Sequence, residues 1–414
     1  MARLIVKNIG SIKDVDIELK KVNVFMGPQS CGKSTLAKII SFCSWLEKQK
    51  FIGEGWEDFH PIRTLKQYHK LTGPYFSDAS SLLYVGDNIV YSHNNEESWA
   101  KSLVPADILK GVSFYSQKDI IFAGTRTIYP KVMYIPAERN LVSTVPNLTK
   151  YAEGNDSILD TIYNWYDAVR NTVNRQTEIL NLGVSFRWNK NGIGMITLDD
   201  GTELSLQQAS SGLQSLVPLI VLVNWLSKGI YEVDKAISVE QRDKLQQLLN
   251  EYFHASETEA KAEMKKQLDQ IARGMAYTHT QFIVEEPEQN LFPDTQCDLL
   301  YYLLSALNHG KNHRAVITTH SPYILYALNN CLLANIVRAD VPEDEMKIFG
   351  CGSVKIAAND VAVWEIENGM MKTYGEDALN HTIQDKDGLI RKNYFNNVMG
   401  KVMKEFQNLL LYKD

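Results

Sequence analysis

The sequence predicts an α/β protein built on a parallel sheet, with an antiparallel β subdomain and a helical subdomain. Three observations carry this. The short apolar run KVNVFM (21–26) leads into a glycine-rich loop, and a helical pattern follows over about residues 34–48. QFIVEEPE and RAVITTHSP are two further apolar strands that each end in a loop. Continuous apolar runs of this length fit strands covered on both faces, the usual condition of a parallel sheet.

The other elements fall around that framework in order. Residues 1–26 read as a strand, a turn and two more strands: RLIVKNI and VDIEL alternate, and GSIKD supplies the turn. Residues 50–130 carry Gly, Pro, His and many aromatics with weak periodicity, and read as a mixed insertion. VMYI (132–135) is a strand followed by the turn-prone PAERN. A helix is expected over 155–181, capped by Asn155 or Asp156. VSFRWN, the turn NKNG and IGMITL form a hairpin pattern. The most apolar stretch, Leu216–Leu226, is shorter than a bilayer span and contains Pro218, so it reads as a buried helix. Residues 233–273 are rich in Glu, Lys, Gln and Ala, lack Gly and Pro, and read as a solvated helical hairpin. The tail from Gly388 to Leu411 reads as one amphipathic helix or two.

At 414 residues the chain is long enough for two or three domains or subdomains. An apolar fraction of 44% and a charged fraction of 22% exclude a disordered or fibrous chain. The 43 Lys and Arg against 49 Asp and Glu leave a net charge of −6, which excludes a basic nucleic-acid coat. Cys31, Cys43, Cys297, Cys331 and Cys351 form no C-x-x-C pair and no disulfide framework, so a reducing cytoplasm is expected. The N-terminus has no sustained apolar run of the kind a cleaved signal needs.

Four segments carry chemistry. GPQSCGKST (Gly27, Pro28, Gln29, Ser30, Cys31, Gly32, Lys33, Ser34, Thr35) matches G-x-x-x-x-G-K-[ST] between a strand and a helix. Glycines let backbone amides approach phosphates, Lys33 supplies charge to the β- and γ-phosphates, and the Ser34 hydroxyl suits Mg²⁺. FIVEEPE (282–288) ends an apolar strand in two carboxylates: Glu285 for the metal shell, and Glu286 to orient or deprotonate an attacking water. ASSGLQS (209–215) sets small residues before an apolar helix. Alone it reads as a Ser-rich N-cap; beside a phosphate loop, Ser211, Gly212 and Gln214 become anion-binding candidates, on a phosphate that need not be held by the chain's own Lys33. In ITTHSP a strand ends in His320, where a neutral imidazole suits a hydrogen bond to a terminal phosphate or to the attacking water. The spacing from Glu286 to His320 leaves room for one helix and one strand, which would put both at the C-terminal ends of neighbouring parallel strands.

In this order the four segments resemble the ABC-type ATPase superfamily: Walker A at Gly27–Ser34, a signature loop at Ser211–Gln214, Walker B at Phe282–Glu286 and a switch histidine at His320. With IVKNIGSIKDVDIEL, YIPAER and EEPEQNLFP, the chain is similar to the SMC/RecF/OLD-like branch, soluble AAA-type ATP-binding proteins met in bacterial defence systems. The resemblance implies a RecA-like parallel-sheet P-loop ATPase core that uses ATP and Mg²⁺. It implies a head-to-tail homodimer, each ATP lying between Walker A of one subunit and the signature loop of the other, with Gln289-Asn290-Leu291 near the partner's site. Three features depart from the pattern. Leu213 stands where a second glycine is common, Glu285 where Asp is commoner, and the Q-loop residue is either Gln117 or within Glu138-Arg139.

The chain then divides into an N-terminal part of the core with Walker A (1–49), the mixed insertion (50–130), a middle segment with hairpin and signature loop (131–230), a helical insertion (231–275), the Walker B and switch-histidine part (276–330), and C-terminal strands with a helical tail (331–414). The expected function is an ATP-hydrolysing switch that controls a separate effector, such as a nuclease, in phage defence. Two readings compete: a RecF- or SMC-like ATPase of DNA repair or chromosomes, with DNA as partner, and a nucleotide-gated scaffold with little turnover. A membrane partner is not expected. Asp385-Lys386-Asp387 has the letters of a Toprim metal pair but no preceding apolar strand, so it reads as a charged turn, without a Toprim nuclease domain. His309 and His313 read as a solvated loop, and the basic run Lys261–Lys266 as decoration of a helix. The insertions and the tail are where partner specificity is expected.

Overall fold

The computed structural model describes residues 2–49, 59–87, 89–94, 120–122, 130–145, 148, 156–173, 175–232, 277–372 and 382–413. In chain order its strands are β1 (Arg3–Ile9), β2 (Ile12–Glu18), β3 (Val22–Met26), β4 (Phe76–Val85), β5 (Ile89–His93), β6 (Ile120–Phe122), β7 (Pro130–Ile135), β8 (Thr177–Glu178), β9 (Ser185–Trp188), β10 (Gly194–Thr197), β11 (Glu203–Ser205), β12 (His279–Glu285), β13 (Arg314–Thr319), β14 (Val361–Glu367) and β15 (Met370–Met371). Eleven of them make one sheet in the order β6-β5-β4-β1-β2-β15-β14-β3-β13-β12-β7, and β8–β11 make a separate small sheet. The strands β14, β3, β13, β12 and β7 run parallel, while β1, β2, β4, β5 and β6 pair antiparallel. Burial follows the pairing. Every residue of β3 and β12 is buried, whereas β2 alternates buried and exposed positions.

The period of two along β3 sorts its side chains into two cores. Val22, Val24 and Met26 face one of them. Phe25 faces the other, with α1 (Lys33–Gln49) and Leu65 of α2 (Pro61–Tyr68). The first core takes α3 (Ser157–Asn171), α4 (Ser211–Asn224), α5 (Pro293–Ala306) and α6 (Pro322–Ile336). The sheet is therefore covered on both sides where it is parallel. A last helix, α7 (Tyr394–Leu410), has no buried residue.

Several expectations are corrected. The C-terminal segment, set apart from the nucleotide core in the sequence division, supplies a central strand to it: β14 lies beside β3, with Val363 opposite Val24. Its sequence, VAVWEIE, is buried almost throughout, and Trp364 stacks on Phe25 with ring centroids 5.0 Å apart and planes 13° from parallel. The 50–130 insertion also feeds the sheet: β4 pairs with β1, Leu82 opposite Val6, and β5 and β6 extend that edge. The helix expected over 155–181 ends at Asn171, where the Thr172 hydroxyl donates back to the Ala168 carbonyl at 2.9 Å, and residues 177–178 turn into the small sheet. Asp156 is the cap, accepting from the amides of Ile158 and Leu159 at 3.0 and 2.8 Å.

Two further corrections concern burial. His313 is fully buried, not solvated. Its Nδ1 accepts from the Thr280 amide at 2.9 Å, and its Nε2 lies 3.1 Å from the carbonyls of Ser227 and His309. The apolar stretch around Pro218 belongs to a helical run of 22 residues, Ser211–Glu232, long and apolar enough to cross a membrane. Its side chains from Leu216 to Leu226 are instead part of the protein's own core, as expected of a buried helix. The pair Asp385 and Asp387 sits in a turn, where the Asp385 carboxylate accepts from the amides of Asp387 and Leu389, both at 2.9 Å. The predicted helices over 233–273, with the Lys261–Lys266 run, lie outside the described residues.

Candidate nucleotide-binding site

Register brings the candidate residues to one edge. Thr319 of β13 pairs with Met26 of β3, Thr318 with Glu285 of β12, and Val284 with Ile135 of β7. The loops after these four parallel strands, which carry Gly27, Glu286, His320 and Ala137, therefore leave the sheet side by side, the usual place for ligands in such folds.

The phosphate loop is shaped by backbone that only glycine adopts comfortably at two points. Gly27 has φ +145°, and a Cβ there would lie 2.2 Å from the Ile366 carbonyl oxygen of β14. Gly32 has φ +108°, and a Cβ there would meet the Ile12 side chain at 2.7 Å. Gln29 and Ser30 are exposed at the rim, Pro28 and Ser34 are partly exposed, and Cys31, Gly32 and Thr35 are buried. The Lys33 ammonium is folded into its own loop, donating to the carbonyls of Gly27 at 2.9 Å and Pro28 at 2.6 Å. Burial lowers its pKa, opposed by Cys31, Glu286 and Glu288.

Glu285 closes β12 inside the protein. Burial pushes its carboxyl pKa up, and the Tyr134 and Ser34 hydroxyls beside it oppose that shift. Among the described residues nothing hydrogen-bonds its Oε1, although that atom is buried. A bare buried carboxylate oxygen next to the Ser34 hydroxyl is a donor set that fits a hard dication such as Mg²⁺. Glu286 follows with φ +42°, a left-handed conformation in a residue that is not glycine. This turn aims its carboxylate at His320, Oε1 to Nε2 3.3 Å, both side chains about one-third exposed. The hydrogen bond from His320 is the main cause that holds the Glu286 pKa below the ordinary glutamate value, which favours its carboxylate form.

Glu288 is a site residue that the motif pattern does not mark. Its Oε1 accepts from the Thr319 hydroxyl at 2.9 Å and the His320 amide at 2.6 Å, which fixes the loop that presents His320. The signal available was a second carboxylate two residues beyond Glu286 in EEPE. Arg139 has a role other than the one expected of it. It is wholly buried and, among the described residues, its guanidinium bonds only to backbone carbonyls, so it does not reach a ligand as a Q-loop residue would. Glu138 is exposed, and Gln117 lies outside the described residues.

The signature segment is elsewhere. Ser210 caps α4, its hydroxyl 3.5 Å from the Leu213 amide, and Ser211 is exposed at the helix N-terminus. A Cβ on Gly212 would lie 3.0 Å from the Asn290 carbonyl oxygen, so this N-terminus rests on the turn after Glu286. The Gln214 amide turns back to donate to the Gln207 carbonyl at 2.9 Å. The helix of the phosphate loop packs on one face of the sheet and α4 on the other. Among the described residues no hydrogen bond joins Ser211–Gln214 to Gly27–Thr35. The structure thus unites Walker A, Glu285, Glu286 and His320, and leaves the signature loop apart.

The family described as AAA ATPase domain matches residues 136–325, which include Arg139, the signature segment, Glu285, Glu286 and His320 but not the phosphate loop. Similar solved structures include the SMC head domain from Thermotoga maritima, with 13% identity, TM-score 0.34, and coverage of 78% of this chain and 90% of that one. The ADP conformation of MJ1267, an ATP-binding cassette of an ABC transporter, has 12% identity, TM-score 0.31, and 90% coverage of both chains. The dimeric structure of MJ0796, a bacterial ABC transporter cassette, has 12% identity, TM-score 0.29, and coverage of 89% of this chain and 96% of that one. No curated protein matches the chain. The family match covers a little under half of the chain, from the end of β7 to the start of α6.

Proposed function

We propose that this protein hydrolyses ATP between two head-to-tail copies of itself and uses the cycle to switch a separate protein effector. One observation carries the hydrolytic part. Lys33, the bare carboxylate oxygen of Glu285 and Glu286 paired with His320 converge on one edge of the sheet. Gly27–Thr35 would hold the phosphates, Ser34 and Glu285 would hold Mg²⁺, and Glu286 would orient or deprotonate water, with His320 steadying it. Bound there, Mg²⁺ supplies neutralisation of phosphate charge. The dimer reading is supported by the exposed Ser211 at a capped helix N-terminus, a ready anion site on a surface away from the chain's own phosphate loop. A cytoplasmic setting is supported by five free cysteines.

Light scattering tests the dimer. With ATP and Mg²⁺ the mass is expected to double, and Ser211→Arg is expected to stay monomeric while still binding ATP in its own loop. Dimerisation of Ser211→Arg at wild-type ATP concentrations would sink the sandwich.

A protein effector is favoured over DNA by the net charge of −6 and by the exposed apolar row Met399, Val402, Phe406 and Leu409 along α7. Phage defence is the biological setting suggested by the family resemblance alone. Duplex DNA is expected to leave turnover unchanged to within about twofold between about 50 and 200 mM salt. Strong stimulation that collapses as salt rises would replace the effector reading with the DNA one.

A further inference from the structure

Arg139 spends its whole donor set on its own loop and two distant segments. Its Nε donates to the Ser215 carbonyl of α4 at 3.2 Å. Its Nη1 donates to Glu285 at 3.0 Å and Pro136 at 3.4 Å, and its Nη2 to Glu286 at 3.0 Å and Pro287 at 3.1 Å. All five N–H groups are used, and every acceptor is a main-chain carbonyl. Three of those carbonyls belong to consecutive residues centred on Glu286, whose φ of +42° needs support from its surroundings. A second rung lies beside the first: the Ser143 hydroxyl donates to the Gln214 carbonyl at 2.9 Å. Residues 139–143 therefore grip α4 just after its Ser211-Gly212 start and grip the Glu286 turn with the same guanidinium. Carbonyls of a helix and a tight turn cannot swing independently as side chains do, so a displacement of α4 is passed on to the turn.

We infer that Arg139 is a positioning residue that couples the signature helix to Glu286, so that a nucleotide engaged by one copy's Ser211 edge adjusts the hydrolytic carboxylate of that same copy's own site. The coupling rests on the head-to-tail reading above. It makes hydrolysis at each site depend on occupancy of the other, which an Arg serving only to fill the core would not do.

The test is Arg139→Lys in the full chain, which keeps the positive charge but replaces a planar fork with a point donor that cannot span both segments. ATP turnover is measured against ATP concentration, with mass measured in parallel. The wild type is expected to show a Hill coefficient above one. Arg139→Lys is expected to bind ATP and to dimerise, to keep KM within about threefold, to lose about tenfold or more in kcat, and to bring the Hill coefficient to one. Ser143→Ala removes only the second rung and is expected to move kcat and the Hill coefficient the same way by less. An unchanged Hill coefficient in Arg139→Lys overturns the inference, even if kcat falls. Should that variant fail to fold, Ser143→Ala decides on the same criterion. If the wild type never dimerises with ATP, the head-to-tail reading fails first and takes this one with it. If it dimerises and only the Hill coefficient is unmoved, the coupling alone fails.

Discussion

Glu286→Gln is expected to lower kcat by about a hundred- to ten-thousand-fold while ATP binding is retained. The substitution is nearly isosteric. It leaves the Glu286 carbonyl on Arg139 and the left-handed turn intact, and removes only the charge. In the wild type that charge is secured by His320, whose Nε2 lies 3.3 Å from Oε1. A carboxamide has no basic oxygen for a water proton, so the chemical step stalls with ATP still in place. The accumulated state is expected to be the ATP-bound dimer, visible as a stable doubled mass with ATP and Mg²⁺. Steady-state phosphate release and scattering on the same sample check both halves. A variant that turns over like the wild type removes Glu286 from the mechanism. A wild type with no turnover of its own would favour the nucleotide-gated scaffold.

Gly27→Ala is expected to abolish nucleotide binding and to cost about 3 kcal/mol or more of stability. Two penalties coincide. A φ of +145° is accessible essentially only to glycine, and the new Cβ would meet the Ile366 carbonyl oxygen at 2.2 Å. The obstacle is backbone of a central strand, so relief requires β3 or β14 to move. Either shift would disturb the loop in which Lys33 is seated and the Trp364–Phe25 stack. The denaturation midpoint and ATP affinity measured on one preparation check the result. Near-wild-type values for both would mean that the β3–β14 contact is far softer than its geometry.

The positions of Glu288, Arg139 and β14 are hidden from the local sequence for physical reasons. Glu288 acts through hydrogen bonds to Thr319 and the His320 amide, partners more than thirty residues away, and an acidic residue in a turn carries no local mark of that. Arg139 looks from sequence like a solvated or ligand-facing cation. Only burial against three segments of backbone turns it into a clamp. VAVWEIE is a short apolar run far from any motif, and its periodicity does not distinguish a central strand from an edge one. His313 shows the converse: two histidines beside a glycine read as an exposed loop, yet the second is sealed under the end of α4's helical run by its bond to Ser227.

Legible in short stretches of sequence were the strand–loop–helix of Gly27–Thr35, the carboxylates at 285 and 286 after an apolar strand, the small residues before α4, and the α/β class. These follow from local backbone preference, side-chain type and hydrophobic period, which a short window contains. Long-range packing set the strand order, the entry of the C-terminal β14 beside the phosphate-loop strand, the pairing of Glu286 with His320, and the separation of the signature loop from the chain's own phosphate loop. Those depend on which apolar faces cover one another and on which buried donors find acceptors. That competition is settled only when the whole chain packs.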